Sequence, residues 1–302
     1  MGKTDTRRNF LRTTGLGLGA CLLSSGTSKR LLPVLKGNIK QVIAAWPFMS
    51  LGPQWKAEEL LHHASLLGVA GVELLPVENW GLLKKYNMVC AATKSHTFIR
   101  GMNNKNHHAE CFSALEKAME ATSAAGFPNV MTFTGLVDTS QEKNGSKVSR
   151  SKGMKNCIAG YKKMARIVEK KKVSMVLEPL NSRFSEDRKG HPGYQGDHIE
   201  YCMEIVKAVS SPGLKLLFNV YHIQIMDGNL ISNIKKYMEY IGHVQIAGVP
   251  GRGEIGNEQE INYHAVMNTF LANGYQGYVG HEWIPTGDAM TGLREAVGIC
   301  DV

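Results

Sequence analysis

Eight short β-rich runs alternate with longer amphipathic segments from about residue 39 to the C-terminus. The short runs are mostly apolar, as expected of strands buried on both faces of a parallel sheet. These runs are 39–45, 70–75, 88–94, 129–134, 173–179, 214–220, 242–247 and 277–283. Apolar residues recur at helical spacing in 57–67, 107–125, 153–170, 197–209, 230–240, 262–273 and 289–298. Eight such alternations predict an α/β fold, a single (β/α)8 TIM barrel.

The first 28 residues have a different character from the rest of the chain. The pair Arg7-Arg8 precedes Phe10-Leu11 and a Gly-rich, modestly apolar stretch over 13–25. This order resembles a twin-arginine export signal. The predicted organisation is therefore an export signal over 1–28 and a barrel over 29–302. The resemblance implies that the twin-arginine export machinery carries the folded protein to the periplasm.

A second processing motif overlaps the predicted signal. Leu18-Gly19-Ala20-Cys21 resembles a lipoprotein cleavage box, although the preceding apolar run is short and apolar residues continue at Leu22 and Leu23. Association with a membrane is therefore expected only if Cys21 is lipidated. The six cysteines include no C-x-x-C pair, which argues against a zinc knuckle or a redox motif.

The charge balance does not indicate a nucleic-acid partner. The formal net charge is +9, and residues 1–28 hold four of the 35 basic side chains but one of the 26 acidic ones. Most of the remaining bases are scattered rather than gathered in a stripe, so we expect no nucleic-acid binding. A small, mildly anionic substrate suits the same balance.

Polar side chains mark the ends of the last four predicted strands. In a barrel of this type, catalytic groups come from the carboxyl ends of the strands and the loops that follow. The four side chains are Glu178, Asn219, Gln245 and Glu282. Each alone has an ordinary explanation as a solvated or capping residue, but together they predict a metal site. Two carboxylates and two amide oxygens suit a hard cation, Mn²⁺ or Mg²⁺.

Four motifs carry a resemblance to a known family. They are Leu177-Glu178-Pro179-Leu180-Asn181, Asn219-Val220-Tyr221-His222-Ile223-Gln224, Gly242-His243-Val244-Gln245-Ile246-Ala247-Gly248-Val249-Pro250-Gly251-Arg252 and Gly280-His281-Glu282. With Leu293-Arg294-Glu295-Ala296-Val297, they resemble the hydroxypyruvate isomerase-like branch of the sugar-phosphate isomerase/epimerase (xylose isomerase-like) TIM-barrel superfamily. The similarity extends from about residue 39 to the C-terminus.

The resemblance implies a metal-dependent isomerase or epimerase of carbohydrate metabolism. Glu178 and Glu282 match the acid/base pair, which moves a proton through an enediolate while both carboxylates also bind the metal. The expected reaction converts hydroxypyruvate to tartronate semialdehyde, or acts on a keto-sugar. Four further residues are candidates for substrate binding, with ordinary structural roles as the alternative. They are His222, Arg252, His191 and Trp46.

Two positions depart from the family pattern. The family normally has Asp where this chain has Asn219, and many members have His at the position of Gln245. The site loses one negative charge, so we expect weaker metal binding with turnover retained. A non-catalytic periplasmic carbohydrate-binding barrel with a degenerate metal site stays open as the alternative. A DNA-repair endonuclease is set aside because Leu75-Pro76 follows the second strand and no Asp-x-His pair follows the seventh.

Overall fold

Eight parallel strands surround the core of the computed structural model, which describes residues 34–302. The strands are β1 (Lys40–Ala44), β2 (Gly71–Glu73), β3 (Val89–Cys90), β4 (Asn129–Thr132), β5 (Ser174–Leu177), β6 (Leu214–Asn219), β7 (Ile241–Ile246) and β8 (Tyr278–His281). Each observed strand coincides with a predicted run to within a few residues. The buried residues of β1, β5 and β6 are almost entirely apolar, as the predicted two-sided burial requires.

The sheet closes through a single residue, Thr93, which lies past the end of β3. Hydrogen-bonded neighbours follow the order β3-β2-β1-β8-β7-β6-β5-β4, which leaves β3 and β4 at the two edges. Thr93 bridges these edges in parallel fashion, because its N–H donates to the carbonyl of Asn129 and its own carbonyl accepts from Met131, each at 2.9 Å. The predicted (β/α)8 TIM barrel is confirmed.

Helices fill the connections between the strands. Over residues 34–302 the α-helices are α1 (Ala57–Leu67), α2 (Trp80–Tyr86), α3 (His108–Ala124), α4 (Arg150–Val168), α5 (Ile199–Val209), α6 (Val220–Met226), α7 (Leu230–Tyr237), α8 (Tyr263–Ala272) and α9 (Ala289–Cys300). The predicted amphipathic segments match seven of these closely. The two that the periodicity missed, α2 and α6, have seven residues each, too few for a 3.6-residue repeat to be legible.

The interior of the barrel mouth is divided in two. A small apolar cluster lies beside β3, β4, β5 and β6 and includes Met131, Phe133 and Leu180. The opposite side, formed by β2, β7 and β8, carries buried polar side chains such as Glu73 and His243. The larger apolar core occupies the space between the strands and the outer helices. A ligand at this mouth would therefore meet one apolar wall and one polar wall.

Strand register brings the predicted polar residues together. Asn219 lies opposite Gln245 in the β6–β7 pair, and Gln245 lies opposite Gly280 in the β7–β8 pair. Side chains two residues apart on a strand share a face, so Glu282 follows Gly280 toward the same centre. Gly280 also makes room for an acid, since a Cβ there would come within 2.4 Å of the Glu73 carboxyl oxygens.

The export and lipidation predictions concern residues outside the described part of the chain. The signal over 1–28 and Cys21 both lie there, so these predictions and the periplasmic location stay predictions. Within residues 34–302, all five cysteines are free and buried. No helix of this described part has the length and apolar character that a membrane crossing requires.

The close approach of β2 and β3 predicts a stability effect at Gly71. A Cβ at Gly71 would lie 2.2 Å from the carbonyl oxygen of Val89 in the neighbouring strand. Gly71→Ala should force the backbones apart and lower the free energy of unfolding by about 1–3 kcal/mol. Chemical denaturation monitored by circular dichroism measures this. Gly81→Ala in α2 is the matched control, because a Cβ there meets open space and should change stability by less than about 1 kcal/mol. Equal effects of the two substitutions would contradict the prediction.

Candidate active site

The side chain of Asn219 stands at the centre of the site. Its Nδ2 atom donates to Oε1 of Glu178 at 2.9 Å and to Oε2 of Glu282 at 3.1 Å. A third contact of 3.1 Å joins the same nitrogen to Oε1 of Gln245. The structure thus brings together all four residues that the sequence predicted as metal ligands. At the centre, however, it places an amide nitrogen, which has no lone pair for a metal.

A chain of amide groups determines which way Asn219 faces. Its Oδ1 accepts from the backbone N–H of His222 at 3.4 Å, capping the first turn of α6. At the other end, Nε2 of Gln245 donates to Oε1 of Glu73 at 2.8 Å, so the oxygen of Gln245 faces Asn219. A backbone donor at one end and an acceptor-only carboxylate at the other give the chain a single polarity.

Arg252 supplies the positive charge of the site. Its Nη2 atom donates to Oε2 of Glu282 at 2.6 Å, and both side chains are almost completely buried. The guanidinium lies 5.2 Å from the ring centre of Trp46 and 5.4 Å from that of Tyr221, within cation–π range. Trp46 also donates from Nε1 to Oε1 of Glu282 at 3.0 Å. Glu282 is therefore held on both of its oxygens.

The two carboxyl groups have different environments. Burial raises the pKa of the Glu178 carboxyl well above its ordinary value, and the nearby Glu282 raises it further. The hydrogen bond from Asn219 and the charge of Arg252 oppose that rise only in part. Glu282 has the direct ion pair with Arg252, which Glu178 lacks. A carboxyl whose pKa is raised, beside one that is paired with a cation, is an arrangement suited to acid/base work.

A cavity of about 460 Å³ opens beside these groups. Glu178, Glu282, Arg252, His191 and Trp46 line its polar side. The opposite wall is apolar, formed by Leu74, Phe98, Met131, Phe133 and Leu180. Five of the eight predicted site residues therefore face the cavity, and Asn219 and Gln245 lie behind the two glutamates. A volume of this size accommodates a small sugar or keto acid.

His222 lies outside the wall of this cavity. Its Nδ1 atom accepts from the backbone N–H of Asn181 at 3.1 Å, so the other ring nitrogen, Nε2, carries the proton. Burial lowers the pKa of His222 well below its ordinary value, and Arg252 and His191 lower it further. Among the described residues, Nε2 of His222 and Nε of Arg252 are buried donors without a partner. The predicted contact of His222 with substrate stays a prediction.

Three residues at the site escaped the sequence reasoning. Glu73 is fully buried at the end of β2, where it contacts Gln245 and His243. The only sequence feature that could have identified Glu73 was an acidic residue inside the otherwise apolar run 70–75. Arg188 and Lys94 reach the cavity from the loop after β5 and the end of β3. Both are exposed, and nothing in their spacing distinguishes them from solvated surface charges.

A family model described as xylose isomerase-like TIM barrel matches residues 62–300. The chain belongs to this family. A human protein named "Putative hydroxypyruvate isomerase" is 32% identical to this xylose isomerase-like barrel over 179 residues, which cover 59% of this chain and 62% of the human one. The hydroxypyruvate isomerase of Escherichia coli is 31% identical over 43% of this chain and 48% of its own. The chain thus spans less than two thirds of the length of these curated relatives.

Solved structures of other proteins share the fold. An AP endonuclease, family 2, from Brucella melitensis superposes with a TM-score of 0.72 at 24% identity, covering 84% of this chain and 97% of its own. The IolI protein, solved with a bound zinc atom, has a TM-score of 0.63 at 16% identity and covers 87% and 95% of the two chains. At these identities the likeness establishes the fold alone.

The donor set of this xylose isomerase-like barrel does not fit the divalent cation that the sequence predicted. Two carboxylate oxygens and one amide oxygen converge, but they converge on Nδ2 of Asn219. In this arrangement the oxygen of Asn219 is engaged in capping α6, so the ligand role predicted for it stays a prediction. Over residues 34–302, no three His, Cys, Asp or Glu side chains group as metal ligands.

The buried position of Glu73 predicts that its charge is needed for the amide chain. In Glu73→Gln the new NH₂ group must face either the donor Nε2 of Gln245 or Nε2 of His243, which could accept only by moving its proton to the buried, unpartnered Nδ1. The free energy of unfolding should fall by about 1–3 kcal/mol. Urea denaturation at neutral pH measures the loss. Glu258→Gln removes a charge from an exposed loop position and should leave stability unchanged. If the two variants unfold at the same urea concentration, Glu73 does not support the site as described.

Proposed function

We propose that this protein is an isomerase or epimerase of a small hydroxy-carbonyl compound, with Glu178 and Glu282 as its acid/base pair. The observation that carries the proposal is the position of the two carboxyl groups. Both contact the same nitrogen of Asn219, and both face the cavity at the C-terminal mouth of the barrel. The isomerase names of the human and Escherichia coli relatives support the same class of reaction.

The proposed chemistry is a proton transfer between neighbouring carbons. One carboxylate removes the proton from the carbon that carries the hydroxyl group, which leaves an enediolate. The other carboxyl delivers a proton to the adjacent carbon or to the opposite face. Arg252, which lines the cavity beside Glu282, supplies a positive charge that would stabilise the enediolate oxygens. The apolar wall of the cavity limits the access of water to the intermediate.

Hydroxypyruvate is the substrate that we propose first. Loss of a proton from its C3 and return of a proton to C2 give tartronate semialdehyde, while the hydroxyl proton moves between the two oxygens and the carboxylate is unchanged. Arg252, Arg188 and Lys94 all border the cavity and suit an anionic substrate. A 2-oxo-tetronate isomerase from Cupriavidus necator, 35% identical over 40% of this chain and 44% of its own, supports a short keto acid. Keto-sugars are the second substrate group to test.

Deuterium exchange tests the acid/base assignment. The protein is incubated with hydroxypyruvate, 2-oxo-tetronate and ketohexoses in deuterated water, and deuterium at carbon is followed by NMR. Glu178→Gln and Glu282→Gln should each reduce exchange by about 10²–10⁴-fold, because an amide cannot accept the proton. Glu258→Gln serves as the folded control, since that residue is exposed. Exchange that persists in both site variants would contradict the assignment.

The environment of Arg252 predicts a separate effect on catalysis. Arg252→Lys retains the charge but loses the planar group that lies over Trp46 and contacts Glu282. For an anionic substrate, kcat/KM should fall roughly 10- to 100-fold. Arg183→Lys, an exposed position in the loop after β5, is the matched control. An unchanged kcat/KM would show that Arg252 serves only the packing of the site.

A carbohydrate-binding barrel without catalysis is the second candidate. The hydrogen bonds from Asn219 to Glu178 and Glu282 favour it, because both carboxyl groups already have partners in the structure without substrate. Calorimetric binding of a sugar without any deuterium exchange would support this candidate over the enzyme.

We further propose a periplasmic location, on the basis of the predicted twin-arginine signal, with membrane attachment only if Cys21 is lipidated.

A further inference from the structure

We propose that the N–H donors of the Asn219 side chain and the charge of the Arg252 guanidinium substitute for the interactions of a divalent cation, so that one atom at position 219 decides whether this barrel binds metal. The inference rests on the proposed function only for the choice of Glu178 and Glu282 as the reacting groups. It concerns the resting protein and is tested without substrate.

The oxygens around Asn219 lie at ordinary N–H···O hydrogen-bond distances, which overlap with the spacing between the ligands of a metal. Oxygens bound to Mg²⁺ or Mn²⁺ at about 2.1 Å in octahedral geometry lie about 3 Å from one another. The Nδ2 atom of Asn219 lies 2.9 Å from Glu178 Oε1, 3.1 Å from Glu282 Oε2 and 3.1 Å from Gln245 Oε1. The atom at position 219 is therefore placed where a ligand would be. It is a hydrogen-bond donor instead of a ligand.

Turning the amide over would offer an oxygen to a cation only at the cost of the helix cap. In the reversed orientation Nδ2 would face the backbone N–H of His222, and the cap of α6 would be lost. The oxygen would then face the three oxygens of Glu178, Glu282 and Gln245. An aspartate at this position has two oxygens and could cap the helix and bind a cation together. An asparagine can do only one of these at a time.

Arg252 raises a second obstacle to a cation. Its Nη2 atom is 2.6 Å from Oε2 of Glu282, the same oxygen that contacts Asn219. The pair is buried and stacked beneath Trp46 and Tyr221, so the guanidinium cannot swing away without leaving both rings. A divalent ion would have to share this oxygen with a fixed positive charge. Asn219 and Arg252 thus provide N–H donors, and Arg252 a positive charge, where a cation would supply charge.

Manganese binding to the wild type and to Asn219→Asp is the direct test. Free Mn²⁺ is followed by electron paramagnetic resonance, with chelator-treated protein and no substrate. We expect no saturable binding by the wild type at millimolar Mn²⁺, and saturable binding at least about tenfold tighter in Asn219→Asp. Asn262→Asp is the matched control, because Asn262 also caps a helix, accepting from Ala265 at 3.0 Å, but lies exposed on α8. This control should bind no more metal than the wild type.

Several outcomes would overturn the inference. Wild-type binding that Glu178→Gln abolishes would show that Asn219 turns over to admit the ion. Failure of both the wild type and Asn219→Asp to bind would show that the nitrogen is not what excludes it. A variant that refolds only with Mn²⁺ present would support the inference.

A second substitution covers the case in which Asn219→Asp does not fold at all. Asn219→Ser retains a helix-capping oxygen and removes the nitrogen. It should bind Mn²⁺ more tightly than the wild type and more weakly than Asn219→Asp, which has a third carboxylate at the site. Absence of binding by a folded Asn219→Ser would overturn the inference. None of these binding experiments measures turnover, so the result is independent of whether the proposed isomerisation is observed.

Discussion

The polarity of one hydrogen-bonded chain orders the mouth of this barrel. It starts at the backbone N–H of His222, passes through Asn219 and Gln245, and ends at the carboxylate of Glu73. Neither amide can reverse without opposing donor to donor or oxygen to oxygen, so the chain has a single low-energy arrangement. The positions of Glu178 and Glu282 follow from it, because both accept hydrogen bonds from the nitrogen that this polarity turns toward them.

The cavity at this mouth has charged side chains on one side and apolar side chains on the other. Apart from Lys94, which follows β3, the charged side chains come from the ends of β5 and β8 and from the loops after β5 and β7, while the apolar ones come mainly from β3, β4 and β5. A small hydroxy-carbonyl compound with a carboxylate would lie with its charge toward Arg252 and its carbon skeleton across Phe133 and Leu180. Such a gradient orients a substrate that is too small to be positioned by shape alone.

Much of the fold could be predicted because its sequence patterns are periodic. Buried parallel strands are continuous apolar runs, and long amphipathic helices repeat every 3.6 residues, so the eight strands and seven of the helices were predicted within a few residues. The seven-residue helix α6 was not, although it has the larger consequence, since its first turn engages the oxygen of Asn219. Glu73 was missed for a related reason. Its partners Gln245 and His243 lie about 170 residues away in the chain.

The sequence by itself determined the (β/α)8 class and the residue types at the strand ends. These follow from local patterns, since each strand end is read within its own few residues. Only the tertiary structure decided which atom of Asn219 faces the glutamates, because an amide carries a donor and an acceptor of nearly equal size. That choice depends on groups from β2, β7 and α6 that meet only when the barrel closes. The same residue that the sequence marked as a metal ligand thereby becomes the donor that holds the two carboxyl groups together.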